Sequence, residues 1–441
     1  MRIPLISCYP TKWYAKLMLQ MAGQGVCARG FPERIISDNM ELSLERIELL
    51  LLIAAFVAMI ARRLRLPYTT GLVVAGGTLA FLHVAQGVEL TKNLIFASFL
   101  PPLVFEAALN ISWRRLRPEI PVVSALATLG VFISAAVTSV GMHYAVGWEW
   151  SAALLFGALI AATDPVSVIA MFKEFNVRSR LRMLLESESL FNDGTASVVF
   201  VIVLAAVTVG IPSAGNIAGR FVFIVGGGIA CGLLVGGATL LVAGRTTDHL
   251  VEITFTTVAA YGSFLIAEHF QASGVLATLT AGLLIGNIGR NGAISERGRV
   301  AVESFWEYAA FVVNSLIFIL IGMRESQLRF WSYGIPVAVA MGVVLVGRAA
   351  AVYPICAAFS RSNVRVSFQH QNLMLWGGLR GALALALALS LPASLPHRHE
   401  VITVAFAVVA FSVLVQGLTM PVFLRMAGEI PHRTHREADH D

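Results

Sequence analysis

Residues 154–172 read LLFGALIAATDPVSVIAMF, an apolar run interrupted by a threonine, an aspartate and a proline. A helix that crosses the hydrocarbon core of a bilayer needs about 20 apolar residues, so the run predicts a membrane-spanning helix. Pro165 lacks an N–H and its ring clashes with the carbonyl of Ala161, which predicts a kink or break at Thr163-Asp164-Pro165. Irregular backbone at this depth is tolerated only where it packs in protein or lines a wet cavity. The break is therefore a candidate functional feature.

The whole chain has the composition of a membrane protein. Of its 441 residues, 57% are hydrophobic and 13% are charged, whereas a soluble domain carries about 25% charged residues. A soluble enzyme, a nucleic-acid-binding domain and a secreted disulfide scaffold are excluded. The apolar runs predict an all-α polytopic membrane protein with about thirteen transmembrane helices. They lie at residues 43–61, 67–85, 92–109, 120–144, 150–172, 184–209, 216–243, 250–269, 273–289, 300–322, 331–359, 368–391 and 400–425.

The chain ends are polar. Residues 1–42 form an extension without the apolar core of a signal peptide, and one hypothesis is that translation starts at Met40. The transmembrane domain is predicted over residues 43–426, followed by a short cytoplasmic tail at 427–441.

Basic residues predict how the chain crosses the membrane. With the start of the first helix outside, nineteen Lys and Arg residues fall on inside segments. Five fall on outside segments: Lys92, Arg220, Arg324, Arg329 and Arg398. Cytoplasmic loops carry such an excess. The sequence therefore predicts a multi-pass protein of the cell (inner) membrane with a cytoplasmic C-terminus.

Four ionisable residues are predicted to lie deep within the helices: Asp164, Asp193, Arg348 and Arg380. Counted from the predicted cytoplasmic helix ends at 1.5 Å per residue, all four lie roughly 12–18 Å deep. A charge at the bilayer centre costs about 2.5–3.5 kcal/mol, so such residues are functional candidates. Two acids and two bases at one level predict a shared polar chamber. Structural ion pairs that lock the helix bundle are the alternative.

The predicted sixth helix begins with a polar stretch, ESESLFNDG at residues 186–194. Ser189 and Asp193 are four residues apart and share a helical face, and Glu188 and Asn192 share the adjoining row. The broken helix described above offers a hydroxyl and freed carbonyls as further oxygen ligands, which suit a hard cation such as Na⁺. We expect a cation site between these two helices. Glu106, near the inside end of the third span, is either a structural acid or an entrance residue.

A second interruption is predicted in residues 372–391, NLMLWGGLRGALALALALSL. Gly377, Gly378 and Gly381 surround Arg380 and permit an unwound stretch, although such spacing also serves plain helix packing.

The two interrupted spans cross the membrane in opposite senses, which is typical of inverted-repeat secondary transporters. The implied repeats cover about 43–209 and 250–426. The ends of the half-helices carry partial charges that need compensation. Asp164 is expected near half-helix N-termini and Arg380 near C-termini.

Several motifs occur together in the order typical of one family. They are FEAALN (105–110), Thr163-Asp164-Pro165, ESESLFNDG (186–194), VVNSLIFILIGM (312–323), GRAAAVYP (347–354) and WGGLRGALALALALSLP (376–392). With these motifs the chain resembles the cation/proton antiporter-1 family of sodium/proton antiporters, in particular its prokaryotic NhaP type.

The resemblance implies a thirteen-helix fold with two crossed, unwound helices and a homodimer. It implies that Asp193 carries the exchanged ion, and that Thr163, Asp164 and Ser189 help to bind it. A structural ion pair of Glu188 with Arg348 and a charge-compensating role for Arg380 are also implied. The Asn192-Asp193 pair is associated with electroneutral exchange.

These inferences predict a secondary active transporter that exchanges Na⁺ for H⁺ by alternating access, without a cofactor, and serves sodium and pH homeostasis. Burial disfavours the ionised form of a carboxyl group, so a proton and Na⁺ can compete for one aspartate. The sequence leaves Li⁺ and K⁺ open as the cation. Other classes are a K⁺/H⁺ antiporter, an ion channel, an ion sensor, an organic-anion transporter and an intramembrane protease.

Overall fold

A computed structural model describes residues 33–64, 67–83, 91–164, 172, 180–210, 214–289, 292–325 and 333–429. The chain forms two compact units, and the boundary between them lies between Ile47 and Glu48. The first unit is described from Glu33 onward and is helical there. The features below belong to the second unit.

Within the described ranges the regular structure is entirely helical. In chain order the helices are α1 (Glu33–Leu64), α2 (Tyr68–Phe81), α3 (Leu94–Asn110), α4 (Trp113–Val146), α5 (Trp150–Ile160), α6 (Arg180–Val209), α7 (Ala214–Ala243), α8 (His249–His269), α9 (Gly274–Ile288), α10 (Glu296–Glu325), α11 (Gly334–Ala358), α12 (Phe368–Trp376), α13 (Ala382–Leu389) and α14 (Arg398–Met426). Among the described residues, seven helices are long and apolar enough to cross a membrane: α4, α6, α7, α8, α10, α11 and α14. Shorter apolar helices are α2, α3, α5 and α9.

The predicted all-α polytopic architecture is confirmed, while the number of thirteen crossings stays a prediction. The first helix begins at Glu33 and so extends N-terminally beyond the span predicted at 43–61. The predicted span at 368–391 is divided into α12 and α13, with the gap at residues 377–381, inside the stretch where an interruption was predicted. Of the predicted span at 150–172, α5 is described as helix only to Ile160, and Pro165 lies outside the described residues.

Local sequence sets several helix starts. The side chain of Asp248 accepts a bond of 2.9 Å from the amide of Leu250 at the start of α8. Ser273 and Ser367 cap α9 and α12 in the same way. Such caps satisfy amides that have no partner within the helix.

Close backbone contact joins α2 to α10. A Cβ at Gly76 would overlap the backbone of Ile319, and a Cβ at Gly322 would overlap the backbone of Val73. In lipid there is no hydrophobic driving force for helix association, so close packing at small residues stabilises such a helix pair. This pair forms one wall of the cavity described below.

The interrupted segments occupy the interior of the second unit. Ala382–Ala388 of α13 are all buried, and α13 packs on α5 and α14. The chain therefore places its two helix breaks among other helices rather than against lipid, as the bilayer requires of irregular backbone.

Candidate ion-binding site

The two helix interruptions lie against each other. α5 ends at Ile160 and residues 162–164 are not helical, so the break begins before the Thr163-Asp164-Pro165 run at which it was predicted. The amide of Asp164 donates to the carbonyl of Leu379, 2.7 Å away. Leu379 lies in the gap between α12 and α13. Backbone groups left without a helical partner are thus paired across the two breaks.

Arg380, in the same gap, binds the end of α5. Its Nη1 donates to the carbonyls of Ala161 and Ala162 at 2.8 and 3.0 Å, and its side chain is buried. The last carbonyls of a helix carry partial negative charge. The guanidinium therefore lies where a positive charge is electrostatically favourable.

Asp164 lies at the opposite kind of helix end. Gly381 immediately precedes α13, and a Cβ at this position would overlap the Asp164 carboxylate. Partial positive charge at the N-terminus of a helix stabilises a carboxylate. The other two glycines serve different contacts, because Gly377 ends α12 and a Cβ at Gly378 would lie 2.7 Å from Nε of Arg348.

Thr163 connects the break in α5 to α6. Its hydroxyl shares a hydrogen bond of 3.0 Å with the hydroxyl of Ser189, and Nδ2 of Asn192 approaches the same oxygen at 3.4 Å. Both α6 residues are buried, and Oδ1 of Asn192 has no hydrogen-bond partner in the described structure. These three side chains bring uncharged oxygen ligands together.

A cavity of about 790 Å³ opens beside this cluster. Thr163, Asp164 and Asp193 all line it. The α6 residues on the wall follow helical spacing, with Glu186, Leu190 and Asp193 on one face. Further polar lining residues include Glu106, Asn110, Arg182, Glu307 and Asn314.

Arg348 and Arg380 do not line this cavity, so the prediction of one chamber holding all four deep charges is wrong. Arg348 instead binds Glu188 through two bonds of 2.6 Å, and neither residue is more than 4% exposed. The Nη2 of Arg348 also donates to the carbonyl of Met374 at 3.1 Å. A guanidinium offers several donors. The Nη groups of Arg348 and Nη1 of Arg380 bind carboxylate or carbonyl partners, whereas Nε of Arg348 has no partner in the described structure. Equal depth therefore does not imply a common space.

Two residues of α14 that sequence reasoning missed support the gap between α12 and α13. Helix α14 contains a π-helical segment, Ser412–Gln416. The Ser412 hydroxyl accepts a bond of 3.0 Å from the Arg380 amide, and Nε2 of Gln416 donates to the carbonyl of Trp376 at 3.2 Å. π-Helical insertions are frequent at functional sites. No sequence pattern marks them here, because a lone serine and glutamine in an apolar helix have many uses.

A face of α10 was also missed. Its cavity-lining residues are Ser304, Glu307, Tyr308, Phe311 and Asn314, at offsets of 3, 4, 7 and 10 from the first, together with Ala310. This spacing is that of one helical face, and it was a detectable signal. Glu106 lines the cavity as well, which agrees with the entrance alternative for this residue.

The sodium/hydrogen exchanger transmembrane model matches residues 50–426. The chain belongs to this family of sodium/hydrogen exchangers. The prediction of the family from the sequence motifs is confirmed.

Similar proteins span most of the chain. It is 39% identical to the Na⁺/H⁺ antiporter ApNhaP of Aphanothece halophytica over 411 residues, which are 92% of this chain and 78% of the relative. It is 34% identical to the Na⁺/H⁺ antiporter NhaP of Pseudomonas aeruginosa over 409 residues, covering 85% and 96%. The solved structure of the sodium proton antiporter MjNhaP1 of Methanocaldococcus jannaschii matches with a TM-score of 0.71 at 20% identity, covering 89% and 99%. The fold of this chain is therefore that antiporter fold.

Sodium/hydrogen exchangers are multi-pass membrane transporters. The chain is accordingly a transporter and not an enzyme, which removes the intramembrane protease from the alternatives.

Proposed function

We propose that this chain exchanges Na⁺ for H⁺ across the membrane and that the two ions compete for Asp193. The observation that carries the proposal is the cavity, which brings this carboxylate together with Thr163 and Asp164 at the break in α5. Relatives at up to 39% identity bear the name Na⁺/H⁺ antiporter. The K⁺/H⁺ alternative gains no support from these names.

The chemistry of the exchange follows from the ligands. Ionised Asp193 binds Na⁺ together with oxygens of Thr163, Ser189 and Asp164, since hard cations prefer oxygen ligands. Protonated Asp193 is neutral and releases the cation. The empty, ionised site cannot cross, because an uncompensated carboxylate is costly in the membrane. Movement of the loaded site between the two faces then couples the two ions.

The placement of the deep arginines favours cation binding. Both are held outside the cavity by carboxylate or carbonyl partners, so neither guanidinium occupies the space in which a cation would bind. The carboxylates of Glu106, Glu186 and Glu307 line the same cavity, where Arg182 lies near Glu186 at 3.8 Å. A cleft whose charged lining residues are mainly carboxylates raises the local concentration of cations.

Three further features belong to the proposal. The Asn192-Asp193 pair supports electroneutral exchange, in line with the resemblance. The distribution of basic residues supports a cytoplasmic C-terminus in the inner membrane. The family resemblance supports a homodimer.

The test is Na⁺-driven proton movement in proteoliposomes. A pH-sensitive dye inside the vesicles reports dequenching after pulses of Na⁺, Li⁺ and K⁺, with and without an imposed membrane potential. We expect dequenching with Na⁺ at a rate that the potential does not change. Asp193→Asn, which is nearly isosteric, should abolish it without loss of folded protein. Glu149→Gln, at an exposed carboxylate between α4 and α5, is the control and should exchange normally.

The outcomes separate the remaining classes. Undiminished exchange by Asp193→Asn would reject the proposed site. Unitary currents in place of saturable counter-flow would indicate a channel, and no ion movement in the wild-type protein would indicate a sensor.

A further inference from the structure

The cavity has a second polar wall that the proposed mechanism does not use. α10 contributes Asn314 to this wall, on the same helical face as Glu307 and Phe311. α10 packs on α2, α3 and α8, whereas Asp193 projects from α6. The amide and the carboxylate therefore belong to different walls of one cavity.

Asn314 is nearly buried and yet unpaired. Its exposed fraction is 7%, and its side chain makes no hydrogen bond within the described parts of the chain. A polar group that has neither a protein partner nor a partner from solvent or ligand costs free energy, so this amide needs a partner from outside the described side chains.

The remaining exposure of Asn314 faces the cavity. Among the described residues, Oγ of the neighbouring Ser315 is fully enclosed and unpaired, whereas the polar side-chain atoms of Asn314 are not fully enclosed. Asn314 lines the cavity and Ser315 does not. The missing partner of the amide is therefore supplied by whatever occupies the cavity.

We propose that the amide oxygen of Asn314 is a further ligand of the transported cation, on the α10 wall, and that it sets cation affinity and preference. The proposal rests on the proposed function. An amide oxygen is a hard, neutral ligand that suits Na⁺. Unlike a carboxylate it does not titrate, so it binds the cation without competition from protons. It gives the ion a second contact while Asp193 takes up or releases its proton.

The test compares Asn314→Leu, Asn314→Asp and the adjacent control Ser315→Ala in proteoliposomes. The apparent KM for Na⁺ and for Li⁺ and the maximal rate are measured beside the wild-type protein. Loss of one ligand should raise the Na⁺ KM about tenfold and change the ratio of the Na⁺ and Li⁺ values. Asn314→Asp should lower the Na⁺ KM at high pH and make it more dependent on pH, because the new carboxylate titrates. Ser315→Ala should leave the KM ratio at the wild-type value.

A second measurement does not depend on transport. Na⁺ that binds the folded protein raises its melting temperature, so the Na⁺ concentration at half-maximal stabilisation reports binding. This concentration should rise in Asn314→Leu and not in Ser315→Ala.

The proposal is overturned if Asn314→Leu keeps the wild-type KM, KM ratio and Na⁺ stabilisation. A fall in maximal rate and melting temperature alone would also overturn it, since that is the result of a structural role. If Asn314→Leu does not fold, an unchanged pH dependence of KM in Asn314→Asp decides against it. Failure of the wild-type protein to exchange Na⁺ would instead reject the proposed function, and this inference with it.

Discussion

Removal of one partner of the Glu188–Arg348 pair should destabilise the protein more than removal of both. Two bonds of 2.6 Å join the carboxylate to the guanidinium, with side-chain exposures of 0% and 5%. Water cannot replace either partner, so Arg348→Met leaves an uncompensated buried carboxylate and Glu188→Leu leaves a buried cation. Breaking a buried pair in this way costs about 3–5 kcal/mol, whereas apolar replacement of both partners is often neutral or stabilising.

The double variant, Glu188→Leu with Arg348→Met, isolates the interaction between the two charges. Arg348 also donates to the carbonyl of Met374 in α12, so the double variant still loses one hydrogen bond of about 0.5–1.5 kcal/mol. We therefore expect its stability to lie above that of both single variants and slightly below the wild type. The coupling free energy between the two positions should be at least about 2 kcal/mol.

The assay is thermal unfolding of the protein in nanodiscs, followed by tryptophan fluorescence. The partly exposed pair of Arg182 and Glu186, 3.8 Å apart on α6, is the control. Arg182→Met should cost no more than about 1 kcal/mol, because exposed pairs contribute little. Destabilisation in the double variant equal to the sum of the single variants would refute the reasoning.

Two further changes test the backbone of the helix breaks. Gly381→Ala places a Cβ on the Asp164 carboxylate, so exchange should fall at least tenfold, while loss of less than twofold in the vesicle assay would contradict the contact. Ser412→Ala removes the acceptor of the Arg380 amide, which should lower the melting temperature and raise the KM for Na⁺. Thr403→Val changes a buried hydroxyl on the same helix that bonds only within its own turn, and it is the control for KM.

Much of the candidate site was predictable because its residues carry strong local signals. An aspartate beside a proline in an apolar run implies a break, and an arginine among glycines implies another. The structure places Asp164 beside Gly381 and Arg380 beside the end of α5. The depth count along the helices was less informative, since it predicted a shared chamber from which both arginines are in fact excluded.

The pairing of side chains was beyond the sequence alone. Counting along the predicted helices puts Glu188 shallower than Arg348, yet the two are in direct contact. Side chains as long as glutamate and arginine span such offsets, and helix tilt and rotation depend on neighbouring helices rather than on hydropathy. The contribution of α10 to the cavity depends on the same rotation.

The sequence by itself determined that this chain is a helical membrane protein, which helices are broken and which carboxylates lie deep within them. These properties follow from apolar length, from proline and glycine chemistry and from the cost of charge in lipid, all of which act locally. Only the tertiary structure decided which charges share the cavity, that Ser412 and Gln416 support the break, and that Asn314 faces the cavity without a partner. Those outcomes depend on how distant helices rotate and pack, because each buried polar group must find a partner across an interface that the linear order of residues does not specify.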